Sequence, residues 1–279
     1  IGLYRIANYG GLLTDNGLAL GALPAGADVF VQTSVANQVN LINVGGATLN
    51  FWDGAAGPKF NGAINGGDGV WQNGTGNDNW ADATGAVNAP FDDSAFAIFT
   101  GTAGTVIIDN SLGAVSASGL QFAVDGYAIT GEALTLAGPQ SGIRVGDGTA
   151  AGAGYTATIG SDISGTTQLV KTDLGTLVLT GTNSYTGGTA INGGTLRTAS
   201  DANLGAAAGG LSFSGGTLNT TASFGSDRAV DLVDPRDPGQ RHPNAHLLLE
   251  NIEKLDNARF ARGRESIDPG AAEDALHLQ

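Results

Sequence analysis

The stretch Leu169-Val-Lys-Thr-Asp-Leu-Gly-Thr-Leu-Val-Leu-Thr-Gly-Thr-Asn-Ser-Tyr-Thr-Gly-Gly-Thr-Ala-Ile-Asn-Gly-Gly-Thr-Leu196 decides the fold of this chain. Apolar and small polar residues alternate in it at period two, the spacing that sends successive side chains to opposite faces of a strand. Gly, Asn or Gly-Gly interrupts the alternation every few residues. One aromatic of the kind that packs inside, Tyr185, sits among the small residues. Overlapping its end, Gly193-Gly-Thr-Leu-Arg-Thr-Ala-Ser200 recurs as Gly215-Gly-Thr-Leu-Asn-Thr-Thr-Ala-Ser223, 22 residues further on. Gly45-Gly-Ala-Thr-Leu-Asn50 is a looser third copy. A period in the low twenties, made of strands and turns, predicts the coils of a parallel β-helix. Each coil then stacks its Leu, Ile and Val on the coils above and below. Leucine-rich repeats share the period, but their fixed Leu-x-x-Leu-x-Leu frame is missing.

The same stretch resembles the autotransporter-associated β-strand repeat of Gram-negative passenger domains. Leu169, Lys171, Gly175, Leu177, Leu179, Gly181, Asn183, Tyr185, Gly187, Thr189, Ile191, Gly194 and Leu196 fall on that family's pattern. Asp173 departs from it, standing where the first glycine is usual. It argues against a tight left-handed turn there, since Asp adopts positive φ less readily than Gly. Phe51-Trp-Asp-Gly54, Gly67-Asp-Gly-Val-Trp71 and Thr105–Leu136 look like junction segments of large passengers, and Arg228-Ala-Val-Asp-Leu232 is the last family-like run.

Composition agrees with strands and turns. The chain has 46 Gly in 279 residues without a collagen period, and 41 % hydrophobic residues, enough to bury a core. The net charge is −14 with no basic stripe, which disfavours nucleic acid and anionic lipid headgroups as partners. Cys is absent, so a disulfide scaffold and a thiolate metal site are excluded. No apolar run approaches the ~20 residues of a membrane helix. The chain opens on Ile1 and shows no signal peptide, which reads as an excised or mature fragment.

Three regions are expected: residues 1–70 as N-terminal β-helix coils, 71–232 as β-helix with the repeat, and 233–279 as a non-homologous tail, helical or disordered. Strands are expected at Val29–Val35, Val39–Val44, Ala95–Phe99, Gly104–Ile108, Ser118–Phe122, Tyr127–Thr130, Ala133–Leu136, Gly142–Val145, Tyr155–Ile159, Gly210–Phe213 and Thr217–Leu218. Composition shifts after Phe224: only 4 of the 46 Gly lie beyond it, but 4 of the 5 Glu and all 3 His do. Asp234-Pro-Arg-Asp-Pro-Gly239 reads as a linker. Asn244 caps an expected helix to about Arg262, with Leu248, Ile252 and Leu255 on one face, and Asp268-Pro269 starts a second. The tail is either an unrelated flanking segment or the product of a frameshift, insertion or fusion near Val233 that removed the rest of the passenger and its barrel.

Chemistry-bearing residues are sparse. His242, His246 and His277 all lie in the tail, so no Ser-His-Asp arrangement forms within the strands. His242 and His246 have the spacing of a helical metal pair, without an accompanying carboxylate motif. Polysaccharide lyases and hydrolases occur among β-helices, and Asp92/Asp93, Asp78/Asp82 and Asp53/Asp68 are the carboxylates available for that chemistry. Adjacent Asp92 and Asp93 would face opposite ways in a strand. The Asn73–Asn79 loop reads as closing its own turns through Asx bonds. Gly66-Gly-Asp-Gly69 and Gly146-Asp-Gly148 echo part of a calcium repeat, with a plain tight turn as the alternative. Gly152-Ala-Gly154 lacks the context of a nucleotide loop. Trp52, Trp71 and Trp80 read either as a sugar-stacking platform or as a cover over a coil junction or end.

The expectation is an all-β, right-handed parallel β-helix with a partly helical or disordered tail. What the resemblance implies is a structural, non-catalytic stalk or adhesin fragment, at the cell surface or outer membrane or secreted. Its partners would be a host-surface or extracellular-matrix glycan or protein, or a second copy of itself. No catalytic residue, cofactor or metal ligand is assigned, and no nucleic acid or direct membrane insertion is expected. The alternative is a polysaccharide-active β-helix enzyme.

Overall fold

The computed structural model describes residues 1–14 and 16–233, and the backbone of Arg241–Pro243. Over these residues the protein is all-β with mostly parallel sheets, interrupted by two short 3-10 turns, Ala150–Gly154 and Asp201–Leu204. Seven parallel strands form one sheet: Gly69–Gln72, Thr105–Asp109, Ala128–Gly131, Thr156–Ile159, Thr176–Leu179, Thr195–Thr198 and Thr217–Thr220, each beside the next in chain order. A second sheet of eleven strands runs alongside it. Its parallel part is Leu49–Trp52, Phe96–Phe99, Gly119–Phe122, Gln140–Val145, Gln168–Thr172, Thr189–Ile191, Leu211–Phe213 and Val230–Val233. A small third sheet joins Ser116–Ala117, Leu134–Leu136 and Ile163–Ser164. The chain therefore returns to the same sheet once per repeat.

The recurring Gly-Gly-Thr-Leu segments meet as expected. Leu177 pairs with Leu196 and Leu196 with Leu218, steps of 19 and 22 residues. All three are buried, and so is Ala157 before them. The neighbouring ladder is Val106, Ile129, Ile159 and Leu179, also buried. Each such side chain contributes roughly 1.5–3 kcal/mol by leaving water. The third copy does something different: its Leu49 belongs to the eleven-stranded sheet, paired with Phe96.

The motif residues have structural work. The positions of Gly181 and Gly187 leave no space for a side chain, because a Cβ would lie 2.4 Å from backbone atoms of Ser161 and Thr167 on the preceding coil. Asn183 accepts from the Ile163 amide and donates to the Asn203 carbonyl, while Asn203 donates to Gly181. Tyr185 is fully buried, with its hydroxyl 2.7 Å from Thr189 Oγ1. Asp173 does take a left-handed turn, at φ 66°, contrary to the expectation from its side chain. Its carboxylate accepts from the Leu174 amide and from Arg144, which holds the conformation that glycine would adopt unaided.

Lys171 occupies an interior position, between Ile143 and Ile191 in the eleven-stranded sheet, and is fully buried. Its ammonium donates to the carbonyls of Thr172, Asp173 and Gly193, tying one coil's turn to the next. Burial lowers its pKa from 10.5 to about 8. Replacing Lys171 by Met leaves those carbonyls without their donor and is expected to cost about 2 kcal/mol at neutral pH. Between pH 8 and 10.5 the unfolded chain binds a proton that the folded chain has lost, so wild-type stability rises with pH in that window. Urea unfolding across that range should show the slope in the wild type and not in Lys171→Met.

The N-terminal segment departs from the coil expected over 1–70. Gly2–Asn8, Val29–Gln32 and Gln38–Asn43 form an antiparallel sheet, with Gln38–Asn43 in the middle. Period-two alternation is the same for either strand direction, so it did not distinguish them. Residues 9–14 and 16–18, which alternate like a short strand in sequence, form none, and Leu12 is fully solvent-accessible. This small sheet packs on the outside of the eleven-stranded one, where Leu3, Val35 and Ile42 bury Phe51, Phe96 and Ile98. Gln121 bonds both the amide and the carbonyl of Leu3, and Arg144 reaches the Ile1 carbonyl and stacks over Tyr4. Most other expected strands lie within two residues of those observed.

Among the described residues after Val233, none continues the parallel pairing. Arg241–Pro243 adds an antiparallel strand beside Val230–Val233. The expected helices at 244–262 and after Asp268 lie outside the described residues.

Candidate functional site

Trp52, Trp71 and Trp80 are buried, at 0 %, 0 % and 1 % exposure, which removes the sugar-stacking platform. They close the end of the stack where the parallel strands begin. Trp71 lies on the first strand of the seven, and Trp80 on a short antiparallel strand, Trp80–Ala81, beside Leu49–Trp52. Ring centroids stand 5.1 Å apart for Trp52–Trp80, 4.8 Å for Trp71–Trp80 and 4.6 Å for Trp80–Phe91. Phe99 and Phe122, paired in register and stacked at 5.0 Å, carry the cluster into the core. Trp52 Nε1 donates to the Gly67 carbonyl.

The carboxylate pairs do not assemble a catalytic dyad. Asp53 is buried and accepts from Asn65 and Asn88. Asp68 accepts the Thr105 amide, and Asp82 closes its own turn with Thr84 and Val87. Asp92 and Asp93 are exposed and lie just before the strand Phe96–Phe99, not in it. Asp93 accepts from Asn73 and from the Ser116 amide. The Asn-rich loop reaches across strands more than it closes on itself: Asn77 and Asn79 donate to the Val70 carbonyl, and Asn73 to Ala114.

Asp147, the calcium-like candidate, is buried under protein donors: the Thr149 amide and hydroxyl, the Tyr155 hydroxyl, and the Arg5 guanidinium at 3.3 Å. That arrangement favours a tight turn over a cation. Among the described residues, no group of three or more His, Cys, Asp or Glu is placed to hold a metal. His242 stands on a strand, so the helical pairing with His246 does not form; His246 and His277 lie outside the described residues.

Two shallow grooves lie among the described residues. One, of about 430 Å³, is lined by Val70, Gln72, Asn77, Asp78, Asn79 and Asp109. Asp109 accepts from Ser111 and Gln72, and the Ser111 hydrogen bonds hold its carboxyl below the usual range, the reverse of what a general acid needs. The other, of about 510 Å³, lies on the outer face of the eleven-stranded sheet among Ala190, Asn192, Gly210, Ser212, Ser214 and Asp231. A polar row runs along the seven-stranded sheet, where Thr156, Thr176, Thr195 and Thr217 stand in register.

Thr176 and Thr195 of this row lie in a segment that a known repeat family carries. The passenger-associated-transport-repeat family matches residues 169–197. The adhesin BmaC autotransporter of Brucella suis biovar 1 (strain 1330) is 66 % identical over 232 residues, covering 83 % of this chain. This is an autotransporter passenger domain with repeats. The passenger chain spans 7 % of the length of that curated relative. Autotransporter passengers of this type belong to the Gram-negative cell surface or outer membrane, or are secreted. No solved structure matches the passenger. Sequence reasoning located its repeat but missed the burial of its charges, Asp53, Asp147, Lys171 and Arg228. The Gly-flanked turn at Asp147 and the final family-like run at Arg228 were the available signals.

Proposed function

We propose that this passenger segment is a right-handed parallel β-helix, running from about Leu49 to Val233, that serves as a non-catalytic adhesive stalk. Gly2–Asn43 covers one side of it, and the residues after Val233 are a separate tail. The observation that carries the reading is the unbroken in-register pairing of seven strands with an outward threonine row. Such pairing makes a stiff rod that offers repeated, low-affinity contacts along its length. The relative's designation as an adhesin supports contact as the role. The partner is a host-surface or extracellular-matrix glycan or protein, or a second copy of the chain. Four of the six candidate carboxylates, Asp53, Asp68, Asp82 and Asp93, accept from backbone amides, Asn or Thr, which disfavours the polysaccharide-active alternative.

Glycan and matrix arrays probed with the purified chain test this. The expected result is saturable binding without new reducing ends from pectin, alginate, chondroitin or peptidoglycan. Cleavage abolished by Asp78→Asn or Asp109→Asn would overturn it in favour of an enzyme.

A further inference from the structure

The first two strands of the seven-stranded sheet, Gly69–Gln72 and Thr105–Asp109, carry an outer face with two halves. Trp71, Val106 and Ile108 are buried, so alternation turns Val70, Gln72, Ile107 and Asp109 outward. Val70 stands beside Ile107, at 37 % and 48 % exposure, and Gln72 stands beside Asp109. An aliphatic pair thus adjoins a polar pair two residues along the strands. The following loop is held against this face, because Asn77 and Asn79 both donate to the Val70 carbonyl. The result is the groove of about 430 Å³ that has Asp78 and Asp109 in its lining. Its amide donors are already committed: Gln72 to Asp109 and Ser111, Asn77 and Asn79 to the backbone. The Asp78 carboxylate makes no hydrogen bond or ion pair among the described residues. Glu132, which accepts the Asn110 amide, adds negative charge next to Asp109. The cations of residues 1–233 are engaged elsewhere. Arg5, Arg144 and Arg228 are paired with Asp147, Asp173 and Asp201, and Lys171 is buried. Lys59, whose field reaches Asp78, donates to the Gly54 carbonyl. Arg197 lies on the sixth strand of the sheet.

We propose that this groove docks a lysine- or arginine-bearing segment of a protein partner. The aliphatic stem of one basic side chain lies on Val70 and Ile107, and its charged head meets Asp78 and Asp109. Long basic side chains have this same division into an apolar stem and a cationic head. Charge complementarity selects the occupant. A neutral sugar would use the acceptors but leave both carboxylate charges unanswered, and a sulfated, sialylated or uronate glycan is repelled. The net charge of −14 steers cationic partners toward the chain as a whole, and the groove gives one side chain a seat. The inference rests on the adhesive reading and narrows its partner to a basic protein segment.

Titrating a short peptide of alternating Lys and Gly, blocked at both ends, into the full 279-residue chain tests it, read by backbone amide NMR shifts and by calorimetry. The expected result is saturable binding that moves the amides of 70–79 and 107–111 and weakens with added NaCl. The same peptide with its lysines acetylated should not bind. Asp78→Asn combined with Asp109→Asn should weaken binding about tenfold, the upper end for two solvent-facing ion pairs. Asp28→Asn combined with Asp227→Asn removes the same charge from exposed positions outside the groove, and should change binding less than about twofold. Ile107→Lys sets a cation into the groove at an exposed site and should abolish binding with the unfolding midpoint kept. A wild type that does not bind, equal weakening in the two double variants, shifts confined to other faces, or binding of the acetylated peptide would each overturn the proposal. If a neutral chitooligosaccharide moves the groove amides and the lysine peptide does not, this inference fails while the adhesive reading stands. Cleavage of a polysaccharide would instead remove the adhesive reading itself.

Discussion

Arg228→Ala is expected to lower the unfolding free energy by about 3 kcal/mol, because it strips this buried guanidinium's donors from the backbone carbonyls of Gly205, Ala206 and Gly209. Arg228 is 6 % exposed, and its guanidinium forks onto the Asp201 carboxylate at 2.8 and 3.0 Å. The remaining donors take the carbonyls of Asp201, Gly205, Ala206 and Gly209. One side chain thus satisfies the 3-10 turn Asp201–Leu204 and the loop after it, where the backbone makes no regular ladder. Lysine does not replace it, because a single ammonium lacks the planar fork. The loss should be local. Hydrogen exchange is expected to show lost protection over 195–233, with the coils around Phe99 and Phe122 retained, since each coil is held mainly by its neighbours. The same contact sets an acid limit. Burial works against ionisation of Asp201, but hydrogen bonds from Arg228 and Ser226 and the Arg228 charge outweigh it, holding its carboxyl below the ordinary 3.8. This stabilisation is therefore present above about pH 4 and is lost as pH falls through the folded value. Arg228→Ala should flatten that limb of the stability–pH curve. Uniform loss of protection along the chain would contradict the local account.

Trp80→Ala is expected to cost about 4 kcal/mol, in the range for emptying a large aromatic site. Trp80 touches Trp52, Trp71, Phe91 and Phe99, so no neighbour can move into the space without breaking another ring contact. Its indole N–H has no hydrogen-bond partner, unlike that of Trp52. Trp80→Phe keeps most of the ring contacts and removes the unpaired donor, so it should cost less than about 1.5 kcal/mol. Denaturant unfolding followed by near-ultraviolet circular dichroism reads both. Equal losses in the two variants would mean that the part of the indole a phenyl ring cannot replace closes this end. If Trp80→Ala leaves stability unchanged, the cluster is not the closure of the stack.

Some of this was legible in the residues alone. Period two with Gly breaks is a local property, and a segment that recurs every twenty-odd residues must pair with its own copy, so Leu196 opposite Leu218 followed from spacing. The buried Tyr185 and the strand at nearly every expected position followed in the same way. Partner choice over long distances was not legible. Alternation does not record strand direction, so the N-terminal strands read as coils until Gln121 and Arg144 were seen to hold them against the outer face. Asp173 looked unsuited to positive φ, and only the contact with Arg144, 29 positions away, resolves it. Lys171 and Arg228 read as ordinary polar positions of the pattern. Their burial depends on carbonyls that the turns of adjacent coils present to them. Sequence thus determined the repeating ladder, because side-chain periodicity is set by the backbone itself. Tertiary structure decided which charges lie inside and which end is closed, because those depend on groups brought together only when coils stack.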